Sequence, residues 1–449
     1  MRSSAVAVLR NGISALGVAL TTSSALLFLG LLFLHLFGFL RNPYTGIVVF
    51  VFVPALFVVG LLLIPAGLFV QRRRAPSDAL PVSWPEIDMN DPGIRRMLLF
   101  VAGATLINLT IVSVASYGAV EYTESPQFCG QVCHAPMEPE YSAYQAWPHA
   151  RVACAACHVG RGPGALVGSK VAGVRQLMHM ATGRIPRPIP SPVTSMYPAR
   201  ETCEQCHWPE KFHGDKHRDI REYANDQANS ETVTALQLHV GGGSRALGIG
   251  TGIHWHMNLD NEVEYVATDA RREVIPYVRF RNRAGQVREF VAAGVTADQV
   301  ASGTRRRMDC MDCHNRPVHT FYATPERAID GAIGQGRIPR ELPFVRREAV
   351  AAVGAKYADK AAAIAGIAQR LQAFYGSQGN PRLVDRAVLA AQDVWSRNVF
   401  PAMHVSWGTY PNYLGHVDAP GCFRCHDDEH KAADGSVISQ DCELCHTIQ

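Results

Sequence analysis

The chain has 449 residues, enough for two or three domains, and its formal net charge is only +4. Hydrophobic residues make up 47% of the sequence and charged residues 18%, and the first quarter is far more apolar than the rest. So small a charge gives no indication of nucleic-acid binding. The twelve cysteines are more informative, because their spacing distinguishes haem, zinc and disulfide proteins.

Three long apolar stretches open the chain, at about 13–40, 46–70 and 97–120. Each reaches the roughly 20 residues that a transmembrane helix needs. Arginines precede the first stretch and cluster between the second and third, whereas the loop between the first two carries only Arg41. By the positive-inside rule, this predicts a cytoplasmic N-terminus and an extracytoplasmic chain beyond the third span. The first stretch exceeds the apolar region of a signal peptide and lacks a small-x-small cleavage site, which favours a retained helix.

Beyond the third span the cysteines form six close pairs, and a histidine follows the second member of every pair. Histidine is 18 of 449 residues, so six such coincidences by chance are negligible. This is the C-x-x-C-H signature of covalent haem attachment, in which two thiols bind the porphyrin and the imidazole binds iron. The predicted attachment residues are Cys129, Cys133 and His134; Cys154, Cys157 and His158; Cys203, Cys206 and His207; Cys310, Cys313 and His314; Cys422, Cys425 and His426; and Cys442, Cys445 and His446.

Zinc ribbons and disulfides are the rival interpretations of paired cysteines, but neither requires a histidine after every pair. The first motif departs from the signature, because three residues rather than two separate Cys129 from Cys133. We still interpret it as a haem site, with either His134 or the nearby Met137 as an axial ligand. Six haems would add about twelve propionate charges, offset by about six positive charges if every iron is ferric, so the assembled protein would be mildly acidic.

Between and after the motifs, the sequence predicts a few regular elements. The Pro-rich run 185–198 is typical of an extended connector. Two strands are predicted at 263–266 and within 274–290, the latter folded at a hairpin turn over 282–285. Thr324 is predicted as an N-cap before helices that continue at about 345–375 and 381–398. The Gly-rich run 241–252 lacks a phosphate-loop pattern and favours a tight turn close to a haem.

The sixth ligand of each iron must come from outside the motifs, and eleven other histidines lie in the external part. Eleven candidates compete for at most six positions, so not all of them can be ligands. The favoured set is His149, His179, His239, His256, His319, His404, His416 and His430. Most haems are therefore expected to be bis-histidine and low-spin.

The segments 128–139 and 149–159 resemble the NapC/NirT family of membrane-anchored quinol dehydrogenases. Members pair a membrane anchor with a compact haem domain, take electrons from membrane quinol and pass them to extracytoplasmic partners. The resemblance implies Met137 as a ligand of the haem nearest the membrane, His149 as a distal ligand, and Lys170 as a residue near the quinol.

The sequence departs from the family in the spacer of its first motif, in the spacing from His134 to Met137, and in having three spans instead of one. The family's acidic residue after the lysine also has no clear counterpart near Leu177. The whole architecture resembles the larger inner-membrane cytochromes of the ImcH type, on the segments 208–212, 254–256, 313–317 and 421–426, although six motifs are one fewer than expected of that type.

These features predict a mainly α and irregular, haem-packed fold: a three-helix transmembrane anchor followed by a multihaem cytochrome c domain with a small β insertion. The predicted segments are a membrane anchor (1–122), a three-haem domain (123–210), a β-containing segment with the fourth motif (211–320), and a helical segment with a two-haem module (321–449).

The predicted function is oxidation of membrane quinol by a hexahaem cytochrome of the bacterial cytoplasmic membrane, with its haem domain in the periplasm. The cofactors are six covalent haems c, and the partners are the quinone pool and an extracytoplasmic cytochrome or reductase, with other membrane subunits also considered and no nucleic acid. His35, near the outer end of the first span, is either interfacial or in contact with quinone. The residues expected to handle quinol protons are Glu121, Glu124, Lys170 and His35. Two other functions stay open: an electron-wire subunit of a larger respiratory complex, and a terminal reductase with an open haem.

Overall fold

The computed structural model describes residues 11–40, 42, 44–74, 89–193, 196–208, 212–242, 251–376 and 379–449. Within them the chain forms two compact units, Met1–Cys133 and His134–Gln449, each described here by itself. The fold is mainly helical, with two small sheets in the second unit. The predicted four-part division is finer than this and stays a prediction.

In its described part, the first unit consists of three long, mainly apolar helices and of shorter helical turns beside them. They are α1 (Gly12–Leu36), α2 (Thr45–Ile47), a π-helical turn (Val48–Phe52), α3 (Val53–Arg74), α4 (Pro92–Glu124) and a second π-helical turn (Phe128–Val132). Among the described residues, three stretches are long and apolar enough to cross a membrane: Gly12–Leu36, Thr45–Gln71 and Pro92–Glu124. The three predicted spans are therefore confirmed as helices of that length. Of the arginines that orient them, Arg2, Arg10 and Arg41 lie outside the described residues.

Small residues bring α1 and α3 close together. A Cβ on Gly17 would lie 2.9 Å from the carbonyl oxygen of Gly60, and a Cβ on Gly67 would meet the side chain of Ser14 at 2.3 Å. The Ser14 hydroxyl donates to the Ile64 carbonyl at 2.9 Å. Small side chains and short polar contacts of this kind are how helices associate in lipid, where apolar burial alone drives nothing.

The second unit opens with short helices around the second and third motifs and ends with short turns around the fifth and sixth. Its helices are α5 (His134–Gln145), α6 (Cys154–His158), α7 (Pro163–Ala181), α8 (Ala199–Thr202), α9 (Ala297–Ser302), α10 (Cys310–Cys313), α11 (Pro325–Gly334), α12 (Val345–Val353), α13 (Lys360–Tyr375) and α14 (Pro381–Asn398). Turns of 3-10 helix lie at Cys203–Gln205, Ile253–Met257, Pro401–Met403, Gly421–Arg424 and Cys442–Leu444.

In the described part of the second unit, eight strands form two sheets. The strands are β1 (Lys216–Tyr223), β2 (Glu231–Leu238), β3 (Glu262–Ala267), β4 (Tyr277–Arg281), β5 (Val287–Val291), β6 (Thr304–Arg307), β7 (Lys431–Ala432) and β8 (His446–Ile448). Their orders are β1-β2-β8 and β6-β3-β4-β5-β7, and every pairing is antiparallel. The predicted hairpin is confirmed: Asn282 O accepts from Gly285 N–H at 3.0 Å, and Gly285 has the positive φ (79°) that such turns require.

Helices α11 to α14 surround an apolar core centred on Trp395, which is 1% exposed. Thr324 caps α11 as predicted, accepting from Arg327 N–H at 3.3 Å. The single helix predicted over 345–375 is instead two, because α12 ends at Val353 and α13 begins after Asp359, whose side chain caps it.

Candidate haem sites

Five motif histidines face a second histidine in the second unit. The pairs and the distances between their ring centroids are His207 with His149 (6.1 Å), His158 with His319 (6.1 Å), His314 with His254 (6.3 Å), His426 with His256 (5.9 Å) and His446 with His416 (6.2 Å). Every pair joins a motif histidine to a histidine outside the motifs.

This spacing is the one that a six-coordinate haem requires. Two imidazoles that bind one iron from opposite faces, each through a nitrogen about 2 Å from the metal, have centroids about 6 Å apart. The donor set is therefore suited to haem c at the second to sixth motifs.

Hydrogen bonds fix the ring orientation of several of these histidines. Nδ1 of His254 lies 3.0 Å from Val240 O, Nδ1 of His256 lies 3.0 Å from Ile253 O, and Nδ1 of His319 lies 3.0 Å from Glu140 O. When Nδ1–H donates to a carbonyl, Nε2 is left as the iron ligand, and the ring is held in one orientation.

Burial also favours the neutral form of the imidazole, which is the form that binds iron. It lowers the pKa of His254, His256 and His319 below the usual range. For His319 the neighbouring Glu140 carboxylate acts in the opposite direction, and burial is the larger cause.

The thiols of successive motifs are neighbours. The Cys310 thiol hydrogen-bonds that of Cys203, which lowers the pKa of Cys203 and joins the third motif to the fourth. Burial, with a further contribution from the charge of Cys422, raises the pKa of Cys313 to about 12, so the fourth and fifth motifs also meet. All twelve cysteines lie among the described residues, and none of them forms a disulfide.

The extra residue of the first motif is taken up by the π-helical turn Phe128–Val132, which holds one more residue per turn than an α-helix. The Phe128 ring packs edge-on against Tyr122 of α4 at 5.3 Å, and Phe128 N–H donates to Ser125 Oγ at 3.1 Å. The motif thus follows directly on the third apolar helix. The His134 side chain lies outside the described residues, and Met137 is half-buried on α5.

Comparisons with known proteins agree with this chemistry. Residues 93–188 match the NapC/NirT cytochrome c family, N-terminal region. The cytochrome c-type protein ImcH of Geobacter sulfurreducens is 39% identical, over 98% of this chain and 88% of that protein. The chain belongs to this cytochrome c family. No solved structure matches it.

Membership makes haem c the covalent cofactor of this cytochrome. Together with three apolar helices of spanning length, it also makes the chain an inner-membrane protein. The resemblance to NapC/NirT cytochromes and to the ImcH type is confirmed.

Four of the eight favoured distal histidines face a motif histidine: His149, His256, His319 and His416. The other four lie elsewhere. Nδ1 of His239 is 3.1 Å from an Asp215 carboxylate oxygen, and Nδ1 of His404 is 3.3 Å from Arg187 O. His430 is buried between Asp427 and Ile275 O, at 2.9 and 2.7 Å, and His179 is exposed on α7.

His254 is the residue that the favoured set omitted. It shares the 3-10 turn Ile253–Met257 with His256, and the two rings face different motif histidines. The sequence signal was the spacing His-x-His, which on so tight a turn directs two rings toward different neighbours.

The predicted quinol residues fall into both units. His35 lies in the last turn of α1, with its ring edge-on to Phe50 at 5.1 Å. Glu121 and Glu124 lie in the last turn of α4, whereas Lys170 is half-buried on α7 of the second unit.

Proposed function

We propose that this cytochrome is a quinol dehydrogenase with six covalent haems, which oxidises membrane quinol and passes electrons to an extracytoplasmic cytochrome or reductase. Its haem-bearing part would lie on the periplasmic side, as the arginine distribution of the sequence indicates. The distal ligands would be His319, His149, His254, His256 and His416 for the second to sixth motifs, in that order.

The observation that carries the proposal is a chain of aromatic rings in the membrane unit. His35 contacts Phe50 at 5.1 Å, Phe50 lies 6.0 Å from Tyr122, and Tyr122 lies 5.3 Å from Phe128, the residue before Cys129. Rings from all three apolar helices therefore lead to the first motif, where a lipid-dissolved quinol can approach.

Glycines make this packing possible. A Cβ on Gly118 would lie 2.7 Å from the Phe50 ring, and a Cβ on Gly46 would lie 2.2 Å from the Tyr122 ring. An aromatic wall of this kind suits the flat ring of a quinol, with one polar group at its edge, here His35.

Oxidation of one quinol to quinone releases two protons and two electrons. The imidazole of His35 and the carboxylates of Glu121 and Glu124 are proposed to take up the protons, and Lys170 is proposed to help orient the substrate. Bound haem c supplies one-electron redox chemistry, so the two electrons leave one at a time. The neighbouring thiols of Cys203 with Cys310, and of Cys313 with Cys422, support transfer in the order of the motifs.

The test uses the purified full-length protein in lipid nanodiscs with a quinol analogue as the only reductant. We expect the wild type to be reduced, and the double variant C129A/C133A to lose this reduction while dithionite still reduces its other haems. The matched control C442A/C445A should keep quinol reduction of its remaining haems. If wild-type protein is not reduced by quinol without other subunits, the electron-wire function replaces the dehydrogenase.

A further inference from the structure

Two buried side chains of opposite charge occupy the spacers of the fourth and fifth motifs. Asp312 lies between Cys310 and Cys313 and is 2% exposed, and Arg424 lies between Cys422 and Cys425 and is 9% exposed. Burying a charge costs free energy unless hydrogen bonds or an opposite charge compensate for the lost hydration.

Arg424 fastens the fifth motif to the fourth. Its Nε donates to Gly421 O at 2.8 Å, Nη1 to Arg272 O at 3.0 Å, and Nη2 to the backbone oxygen of Asp312 at 2.5 Å. Its guanidinium carbon lies 4.2 Å above the Tyr413 ring. All three acceptors are uncharged carbonyls, so these contacts hold the guanidinium in place without cancelling its charge.

Asp312, in the fourth motif, carries the opposite charge to Arg424. Its Oδ1 accepts from the Tyr265 hydroxyl at 2.5 Å and from Arg272 at 3.3 Å, and its Oδ2 accepts from Asp309 N–H at 2.8 Å. Burial raises the pKa of the fully buried Tyr265, which therefore stays a neutral donor to the carboxylate.

The two sites beside these charges are joined by one short turn. His254 and His256, two residues apart, face His314 and His426 at 6.3 and 5.9 Å. Trp255, between them, packs on Phe280 at 4.9 Å and anchors the turn to the larger sheet. The turn therefore holds the fourth and fifth sites next to each other. Both charged residues lie between the two cysteines of the motifs proposed to attach these haems.

We propose that Arg424 raises the reduction potentials of both the fourth and the fifth haem, and that Asp312 lowers the potentials of the same two haems. A buried cation near an iron favours the ferrous state and raises the potential, and a buried anion favours the ferric state and lowers it. The inference rests on the proposed assignment of bis-histidine haems to these two motifs.

The test is a redox titration of the intact protein, followed by the visible haem spectrum, in three single variants. R424Q should make two of the haems harder to reduce, with the ferrous-to-ferric ratio at fixed potential falling roughly tenfold, as expected for a charge at about 10 Å in a medium of intermediate polarity. D312N should shift the same two haems the other way, and R424K should titrate close to wild type.

The matched control is R346Q. Arg346 also makes several contacts, to Asp330 and Asn225, but within the helical core and away from the motifs. Its removal should leave the titration unchanged. If D312N does not fold, Y265F takes its place: loss of the hydroxyl leaves the carboxylate less neutralised, so the same two haems should become harder to reduce.

Shifts of R424Q and D312N in the same direction would mean that the side chains only hold the loops together, and superimposable titrations would overturn the proposal outright. Mass spectrometry of each denatured variant counts its haems separately. If the wild-type protein lacked haem at the fourth or fifth motif, the site assignment would be refuted. That outcome differs from one in which both haems are present but their potentials do not shift.

Discussion

Two stretches of the second unit differ in how many of their apolar side chains are buried. In 325–398 the helices α11 to α14 enclose a dense core, with Ile329, Ile367 and Leu371 wholly inaccessible. In 134–208 the apolar residues that are buried among the described ones are few, and α7 buries none of its nineteen residues.

The difference follows from where the haem motifs lie. The helical stretch carries none, whereas 134–208 carries the second and third. A porphyrin is a large apolar surface, so a segment that holds the two proposed haems would need little core of its own. The helical stretch should be stable by its own packing, and the haem-bearing stretch should depend on its cofactors.

The largest expected effect comes from removing one of those cofactors. In C154A/C157A, which removes the proposed attachment site of the second haem, 134–208 should become readily cleaved by trypsin at Arg151, Arg161 and Arg175, while 325–398 stays protected. Peptide mapping by mass spectrometry after limited digestion measures this. The control C442A/C445A should leave 134–208 protected, and equal protection in both variants would contradict the comparison.

A smaller effect is expected from a cavity in the helical core. Trp395→Ala should lower the free energy of unfolding of this stretch by about 3–5 kcal/mol, since a fully buried aromatic ring is lost. Denaturant titration followed by far-UV circular dichroism measures the change. Leu389→Ala, at a site 66% exposed on the same helix, is the control and should stay within about 0.5 kcal/mol of wild type.

The smallest effect concerns the start of the same stretch. Thr324→Ala removes the side chain that accepts from Arg327 N–H and should cost about 1 kcal/mol in the same denaturant titration. Thr324→Asp keeps an acceptor at the cap, so it should retain most of the wild-type stability. Equal losses in the two variants would show that the hydroxyl does not act as a cap.

Features that depend on local sequence spacing could be predicted, whereas features that depend on tertiary structure could not. Haem attachment depends on fixed local spacing, so the six motifs could be predicted directly. A distal ligand arrives from elsewhere in the chain, so tertiary structure alone separates His319, which faces a motif histidine, from His430, which is hydrogen-bonded on both ring nitrogens. The hairpin β1–β2 was missed because β1 is highly charged and mostly exposed, and because neither strand shows the burial alternation of a half-buried sheet.

Electron paramagnetic resonance of the fully oxidised, purified protein tests the central claim most directly, namely that five histidine pairs each hold a haem. Two imidazoles make ferric haem low-spin, so five of the six haems should give low-spin signals, with a different signal only from the first motif. Strong high-spin signals from several haems would contradict the pairing and would favour a reductase with open haem sites.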